Sequence, residues 1–89
     1  MYSEKIGIIG GFGAYAGLDF YKRLLECFST GNERDYPHVI MDNNFTMPSR
    51  TRALLYDECV DELVKDIANS VSLLLSNEVD KIVLICGPA

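Results

Sequence analysis

The sequence lacks the features that mark membrane, secreted and nucleic-acid-binding proteins. No fully apolar run approaches the roughly 18 residues that a helix needs to cross a bilayer. The start of the chain, Met1 to Lys5, has no signal-peptide core. Basic residues do not cluster beyond Lys22-Arg23, and 13 acidic against 8 basic residues give a formal charge of -5. We therefore expect a cytoplasmic protein that binds neither a membrane nor a nucleic acid.

Cysteine is also scarce, and its spacing argues against two common uses of this residue. Cys27, Cys59 and Cys86 are odd in number and form no C-x-x-C pair, and His38 is the only histidine. Neither a disulfide framework nor a metal site is therefore expected. Helical patterns around Cys27 and Cys59 predict packing roles for both. Cys86 differs because it stands at the end of a predicted strand.

The length and composition predict one small globular domain. With 89 residues and 48% hydrophobic content, the chain is long enough for one modest core and too short for two. It contains no internal repeat, low-complexity stretch or linker. We therefore predict a single α/β domain over residues 1–89.

Hydrophobic patterns along the chain predict the order β-α-β-α-α-β. Three short apolar runs are predicted strands: Lys5 to Ile9, His38 to Met41 and Lys81 to Ile85. Helical spacing begins at Ala16, a short helix with Pro48 in its first turn ends at Leu55, and the strongest helical periodicity covers Val60 to Leu75. This alternation predicts a three-layer domain, in which a parallel sheet carries helices on both faces.

A glycine-rich turn follows the first predicted strand. Gly11, Gly13 and Ala16 satisfy G-x-G-x-x-[GA], and Asp42 at the end of the second strand could bond a ribose hydroxyl. A Rossmann-like nucleotide-binding module is therefore one hypothesis. Backbone N–H groups at a helix N-terminus bind phosphate and carboxylate alike, so the glycines predict an anionic ligand more safely than a nucleotide. A turn that binds nothing is the remaining alternative.

A polar loop after the second strand, residues 42–52, carries amides, hydroxyls and two guanidinium groups. Arg50 can hold a carboxylate through two parallel hydrogen bonds. Asn43, Asn44 and Thr51 could orient the rest of a small polar acid. The alternative is that the two asparagines are turn residues and the two arginines begin a solvated helix.

Three motifs in this order resemble the N-terminal half of the aspartate/glutamate racemase family. They are Gly10-Gly11-Phe12-Gly13 after a strand, Asp42-Asn43-Asn44 followed by Pro48-Ser49-Arg50-Thr51, and Ile85-Cys86 at a strand end. The resemblance covers essentially all 89 residues. Members of that family run to more than twice this length and have two similar α/β domains. The resemblance therefore implies the first domain of a longer enzyme.

The resemblance implies a racemase for aspartate, glutamate or a similar small acid that uses no cofactor, neither pyridoxal phosphate nor a metal. One cysteine from each domain faces the substrate's α-carbon, and one thiolate takes a proton while the opposite thiol returns one. Cys86 matches the first catalytic cysteine, and Arg50 matches the arginine that holds a substrate carboxylate. The predicted substrate-binding residues are Gly11, Gly13, Asn43, Asn44, Arg50 and Thr51.

The chain departs from the family's pattern around its candidate base. Members usually read Cys-Asn-Thr where this chain reads Cys86-Gly87-Pro88, and proline lacks a backbone donor. The sequence also contains no second catalytic domain. An uncovered sheet edge promotes association, so we expect a homodimer. A non-catalytic dimerising domain is the third hypothesis.

Overall fold

The computed structural model describes residues 4–28 and 30–85, and within them it describes the backbone but not the side chains of Arg50 and Thr51. Three strands alternate with three α-helices and one 3₁₀ turn in this part of the chain. In chain order they are β1 (Lys5–Gly10), α1 (Ala16–Cys27), the 3₁₀ turn (Glu33–Asp35), β2 (His38–Asn43), α2 (Arg50–Tyr56), α3 (Val60–Ser76) and β3 (Lys81–Leu84). The predicted α/β class and element order are confirmed.

The three strands form one open parallel sheet in the order β2-β1-β3. In the register, Lys5 pairs with His38 and Gly10 with Asn43. On the other side of β1, Ile9 pairs with Leu84. Because β1 has a neighbour on each side, its apolar residues are the most deeply buried in the sheet, and Ile8 and Ile9 are almost inaccessible.

The amino end of β3 is tied to β1 by a compact set of hydrogen bonds. The Asp80 amide donates to the Lys5 carbonyl at 2.7 Å, and the Lys5 amide donates to the Asp80 carboxylate at 2.7 Å. The Lys5 ammonium also donates to the carbonyl of Asn77 at 2.9 Å. These bonds join the end of α3 to the start of the central strand and so fix where β3 begins.

Helices α3 and α1 approach β1 through glycines. A Cβ on Gly7 would lie 3.0 Å from Leu74 Cδ1 of α3. A Cβ on Gly10 would overlap Asn43 Oδ1, and the same oxygen is 3.1 Å from the Cβ position of Gly17 in α1. Gly7 therefore leaves room for Leu74 of α3, and the Asn43 amide occupies the space between Gly10 and α1.

The core of this domain is small. Its buried apolar residues are Ile6, Ile8, Ile9, Ala53, Leu63 and Leu74. The radius of gyration is 14.5 Å, against roughly 12 Å for a compact chain of this length. Large apolar side chains such as Tyr15, Leu54 and Leu55 are correspondingly exposed. None of the described helices is both long enough and apolar enough to span a bilayer.

Several predicted element boundaries differ from the observed ones by one or two residues, and three of them have a clear physical reason. Strand β2 continues past Met41 to Asn43 because its last residue still pairs with Gly10. Strand β3 ends at Leu84, although the Ile85 amide still donates to the Ile9 carbonyl at 2.9 Å. Pro48 lies before α2 rather than in its first turn, because the Ser49 hydroxyl caps the helix by accepting from the Arg52 amide.

The predicted packing roles of Cys27 and Cys59 are also wrong. Both thiols belong to exposed residues. Cys27 is the last residue of α1 and Cys59 is the N-cap of α3. Residues at helix ends can satisfy a helical hydrophobic pattern without reaching the buried stripe of the helix, which is the physical reason for the error.

We predict that Gly10→Ala lowers the free energy of unfolding by about 1–3 kcal/mol, because the added Cβ must displace the Asn43 amide. In an Asn43→Ala background the same substitution should cost much less, since the obstructing oxygen is gone. Urea unfolding of the two single variants, the double variant and the wild type gives the coupling energy between the positions. An equal cost in both backgrounds would show that the Asn43 amide is not the obstruction at position 10.

Candidate functional site

The carboxyl ends of the three strands lie at one edge of the sheet, where open α/β sheets bind their ligands. Strand β1 ends at Gly10 directly beside Asn43, the last residue of β2. On the other side, the Ile85 amide bonds to the Ile9 carbonyl as the chain leaves β3. The glycine turn and the asparagine-rich loop therefore begin next to each other.

The turn between β1 and α1 adopts a conformation that requires glycine. Gly11 and Gly13 have φ angles of 107° and 104°, which side chains other than glycine rarely adopt. The Ala16 amide donates to the Gly13 carbonyl at 3.3 Å and closes the turn onto α1. Tyr15, the N-cap, makes no side-chain capping bond. The backbone thus explains the glycines at 11 and 13 whether or not an anion binds there.

The loop after β2 packs directly on this turn. A Cβ on Gly11 would overlap the carbonyl oxygen of Asn44 and lie 2.9 Å from Met47 Cε. Two segments that are more than thirty residues apart in sequence are therefore in contact at the sheet edge.

Asn43 lies in a slot between the central strand and α1. Although the residue as a whole is exposed, its amide oxygen lies against the backbone of Gly10 and close to Gly17. Its Nδ2 donates to Met41 Sδ at 2.9 Å, and a thioether is a weak acceptor. The amide therefore fills the space between β1, β2 and α1. The sequence alone did not indicate this role.

Asn44 shapes the loop through its side chain. Its Oδ1 accepts from the Thr46 amide at 2.9 Å and from the Thr46 hydroxyl at 2.5 Å. This pattern is an Asx turn, in which a side-chain oxygen replaces a backbone acceptor. The turn role that the sequence left open for Asn44 is thus the one that these contacts support.

The two arginines of α2 differ in what the structure describes. Arg52 donates from Nε and Nη2 to the two carboxylate oxygens of Glu58, at 2.7 and 3.0 Å. Its guanidinium also lies 5.3 Å from the ring centroid of Tyr56. Arg52 is therefore engaged within the fold. Arg50 and Thr51 are the first residues of α2, the element that follows β2 in the chain. Their side chains lie outside the described groups.

The candidate base, Cys86, follows Ile85 in the sequence and lies outside the described residues. Cys27 ends α1, which runs back from the carboxyl edge, so it lies toward the opposite edge of the sheet. Cys59 precedes α3 at the end nearer the candidate site. Within residues 4–28 and 30–85, no cluster of three or more His, Cys, Asp or Glu side chains is placed to hold a metal.

Cys59 has an acidic environment that sequence reasoning did not identify. The negative charge of Glu62 and its hydrogen bond with the thiol, with smaller effects from burial and from Glu58, raise the pKa of the Cys59 thiol. A signal was available, because Cys59 and Glu62 have the N-cap to N3 spacing of a capping box. A thiol held in its protonated form is a poor base near neutral pH.

We predict that Glu62→Gln speeds alkylation of Cys59 by iodoacetamide at neutral pH. Removing the largest cause of the raised pKa increases the thiolate fraction at a given pH, and only the thiolate reacts. The pH profile of the Cys59 rate should shift to lower pH, as followed by mass spectrometry of the separate peptides. Cys27, on another helix, is the internal control. An unchanged Cys59 profile would contradict the role assigned to Glu62.

Comparison with known proteins does not assign this chain to a family. No protein-family model matches the sequence, and no solved structure matches the fold significantly. The chain segments that meet at the carboxyl edge of the sheet are therefore the remaining indication of function.

Proposed function

We propose that the chain is the N-terminal domain of a cofactor-independent amino-acid racemase that acts on aspartate, glutamate or a similar small acid. The observation that supports this proposal is the convergence of three chain segments at one edge. The glycine turn leaves β1, the loop through Asn43 and Asn44 leaves β2, and the chain toward Cys86 leaves β3. The motifs that resemble the racemase family lie on these same segments.

In the proposed reaction the Cys86 thiolate removes the α-proton of the bound amino acid. The Cα–H bond breaks, an S–H bond forms, and the electron pair is left on the α-carbon. An acid on the opposite face then donates a proton to that carbon, which inverts the centre. Cys86 returns to its thiolate form when it releases its proton to solvent.

Arg50 is the proposed carboxylate anchor. It is the first residue of α2, the element that follows β2 in the chain. A guanidinium can hold a carboxylate through two parallel hydrogen bonds. Its neighbour Arg52 is already bound to Glu58 by such a pair of bonds. Of the two arginines in this segment, Arg50 is therefore the better candidate for a substrate contact, and Thr51 is the proposed additional polar contact.

The acid on the opposite face of the substrate must be a group other than the two described cysteines, Cys27 and Cys59. Cys27 lies toward the wrong edge of the sheet, and the raised pKa of Cys59 disfavours its cycling through a thiolate. We therefore include in the proposal a second α/β domain that covers this edge. A three-layer domain of the racemase type, a cytoplasmic location and a homodimer are further parts of the same proposal.

A nucleotide-binding module is the alternative to a site for a small acid. The carbonyl of Asn44 and the Met47 side chain already occupy the space beside Gly11. An anion approaching the turn from that side, phosphate or carboxylate alike, would have to displace them. Titration with nicotinamide and flavin nucleotides, followed by fluorescence, tests this alternative directly.

We predict that the chain exchanges the α-proton of aspartate or glutamate in deuterated water, and that Cys86→Ala slows this exchange at least about 100-fold. The magnitude follows from the usual contribution of a positioned general base. Proton NMR of L- and D-substrates measures the exchange, and Cys27→Ala is the matched control. Exchange that persists in Cys86→Ala would contradict the role of Cys86, whereas exchange that is absent from both chains would indicate that the missing second domain is required.

We predict that Arg50→Ala weakens aspartate binding by about 10-fold or more, since a bidentate charged contact is lost. Arg52→Ala should leave binding nearly unchanged because its guanidinium is already bound to Glu58. Thermal unfolding over a series of aspartate concentrations gives both affinities, because a ligand at 100 times its Kd stabilises by about 2.7 kcal/mol. Equal losses in the two variants would argue against Arg50 as the anchor.

A further inference from the structure

The side chains of strand β3 do little to fix its register against β1. The strand is four residues long, it lies at one edge of the described sheet, and none of its side chains is fully buried. Apolar residues continue without alternation from Ile82 to Ile85. A shift by one residue would therefore still place apolar side chains on both faces, and strands without a strict pattern are prone to such shifts. The observed register needs another source.

The Asp80 side chain makes a contact that is specific to the observed register. Its carboxylate accepts from the Lys5 amide at 2.7 Å, and the Asp80 amide donates to the Lys5 carbonyl at 2.7 Å. The second bond joins two backbone groups, so any residue except proline could form it after a shift. The first bond needs a side-chain oxygen close to the backbone. Within the described residues 78–85 the only aspartate or asparagine is Asp80.

The other polar contacts around this pair depend less on register. The Lys5 ammonium donates to the Asn77 carbonyl at 2.9 Å, and the Lys81 ammonium lies 2.7 Å from the Glu4 carboxylate. Both contacts use long lysine side chains that can follow a shifted strand. Exposed ion pairs such as the second one also contribute little to stability. The short Asp80 side chain is therefore the contact that best specifies how β3 is aligned.

The register of β3 determines where the chain leaves the sheet at the carboxyl edge. In the observed register Leu84 lies beside Ile9, and the Ile85 amide donates to the Ile9 carbonyl at 2.9 Å. A shift of two residues would keep each side chain on its face and move this exit by about 7 Å along β1. A general base must lie within hydrogen-bond reach of the proton that it removes, so a displacement of this size would prevent proton transfer.

We infer that Asp80 is a positioning residue for the proposed reaction. By accepting from the Lys5 amide, its carboxylate sets the register of β3, and this register sets where the chain leaves the sheet toward Cys86. Asp80 lies about 16 Å from that exit along the strand, so it acts through β3 and not through contact with substrate. The catalytic part of this inference rests on the proposed function, whereas the register can be measured without substrate.

Nuclear magnetic resonance tests the register directly. Nuclear Overhauser effects that join Ile9 to Leu84 and Ile85 report the alignment, and hydrogen exchange of the Ile85 amide reports its stability. We expect Asp80→Ala to weaken these effects and to speed that exchange at least about 5-fold relative to the amides of α1, because a charged acceptor is lost. Asp80→Asn keeps an acceptor oxygen at the same position and should behave like the wild type. Lys5→Met removes the ammonium but keeps the amide, and it is the matched control.

A second substitution, Asp80→Glu, covers the case in which Asp80→Ala does not fold. It keeps the charge but displaces the carboxylate by one methylene, so it should resemble Asp80→Ala and not the wild type. Native alignment and native Ile85 exchange in the folded variants of this pair would overturn the inference. An effect of Lys5→Met equal to that of Asp80→Ala would also overturn it, because the ammonium would then set the register.

Exchange of the substrate α-proton tests the catalytic part of the inference. In the enzyme form that exchanges the α-proton of aspartate, Asp80→Ala should lower kcat at least about 10-fold, because a small misplacement of a base has a large effect on rate. KM should change little, since the proposed anchor belongs to α2, and Asp80→Asn should keep the wild-type kcat. An unchanged kcat together with a shifted β3 would overturn the positioning role. Absence of exchange in the wild type would concern the proposed reaction alone, and the resonance comparison would still decide whether Asp80 sets the register.

Discussion

The pairing of β1 with strands on both sides is the constraint on which the rest of this structure depends. Its register with β2 brings Gly10 beside Asn43, and its register with β3 brings Ile9 beside Leu84. Both neighbouring strands therefore end at the same edge as β1. Glycine at positions 7 and 10 of this central strand leaves room for Leu74 and for the Asn43 amide.

Some polar groups at this edge make contacts within the fold, and others have roles only in the proposed chemistry. The amide oxygen of Asn43 lies in the slot beside α1, that of Asn44 closes the Asx turn, and the guanidinium of Arg52 is bound to Glu58. The polar residues that follow β2 thus include groups that stabilise the fold as well as groups proposed to bind substrate. The proposed chemistry depends on three side chains outside the described groups, those of Arg50, Thr51 and Cys86.

The sequence predicted the element order and the parallel sheet because each element has a clear local pattern. It could not predict the end of β2 at Asn43. This residue belongs to the strand because it pairs with Gly10, and the local pattern does not reveal that pairing. The Arg52 pair with Glu58 is of the same kind, because it forms across the turn that follows α2. The exposure of Cys27 and Cys59 depends on the orientation of helix ends, which hydrophobic spacing leaves open.

The proposed two-base reaction requires an acid that the described cysteines do not provide. Helix α1 runs opposite to the parallel strands, so Cys27 at its end lies toward the other edge of the sheet. The negative charge of Glu62 raises the pKa of the Cys59 thiol and so disfavours its thiolate form. In the proposal, a second domain covers the carboxyl edge and supplies this acid. The small core of the described domain is consistent with such a contact, because the contact would bury apolar surface that is exposed here.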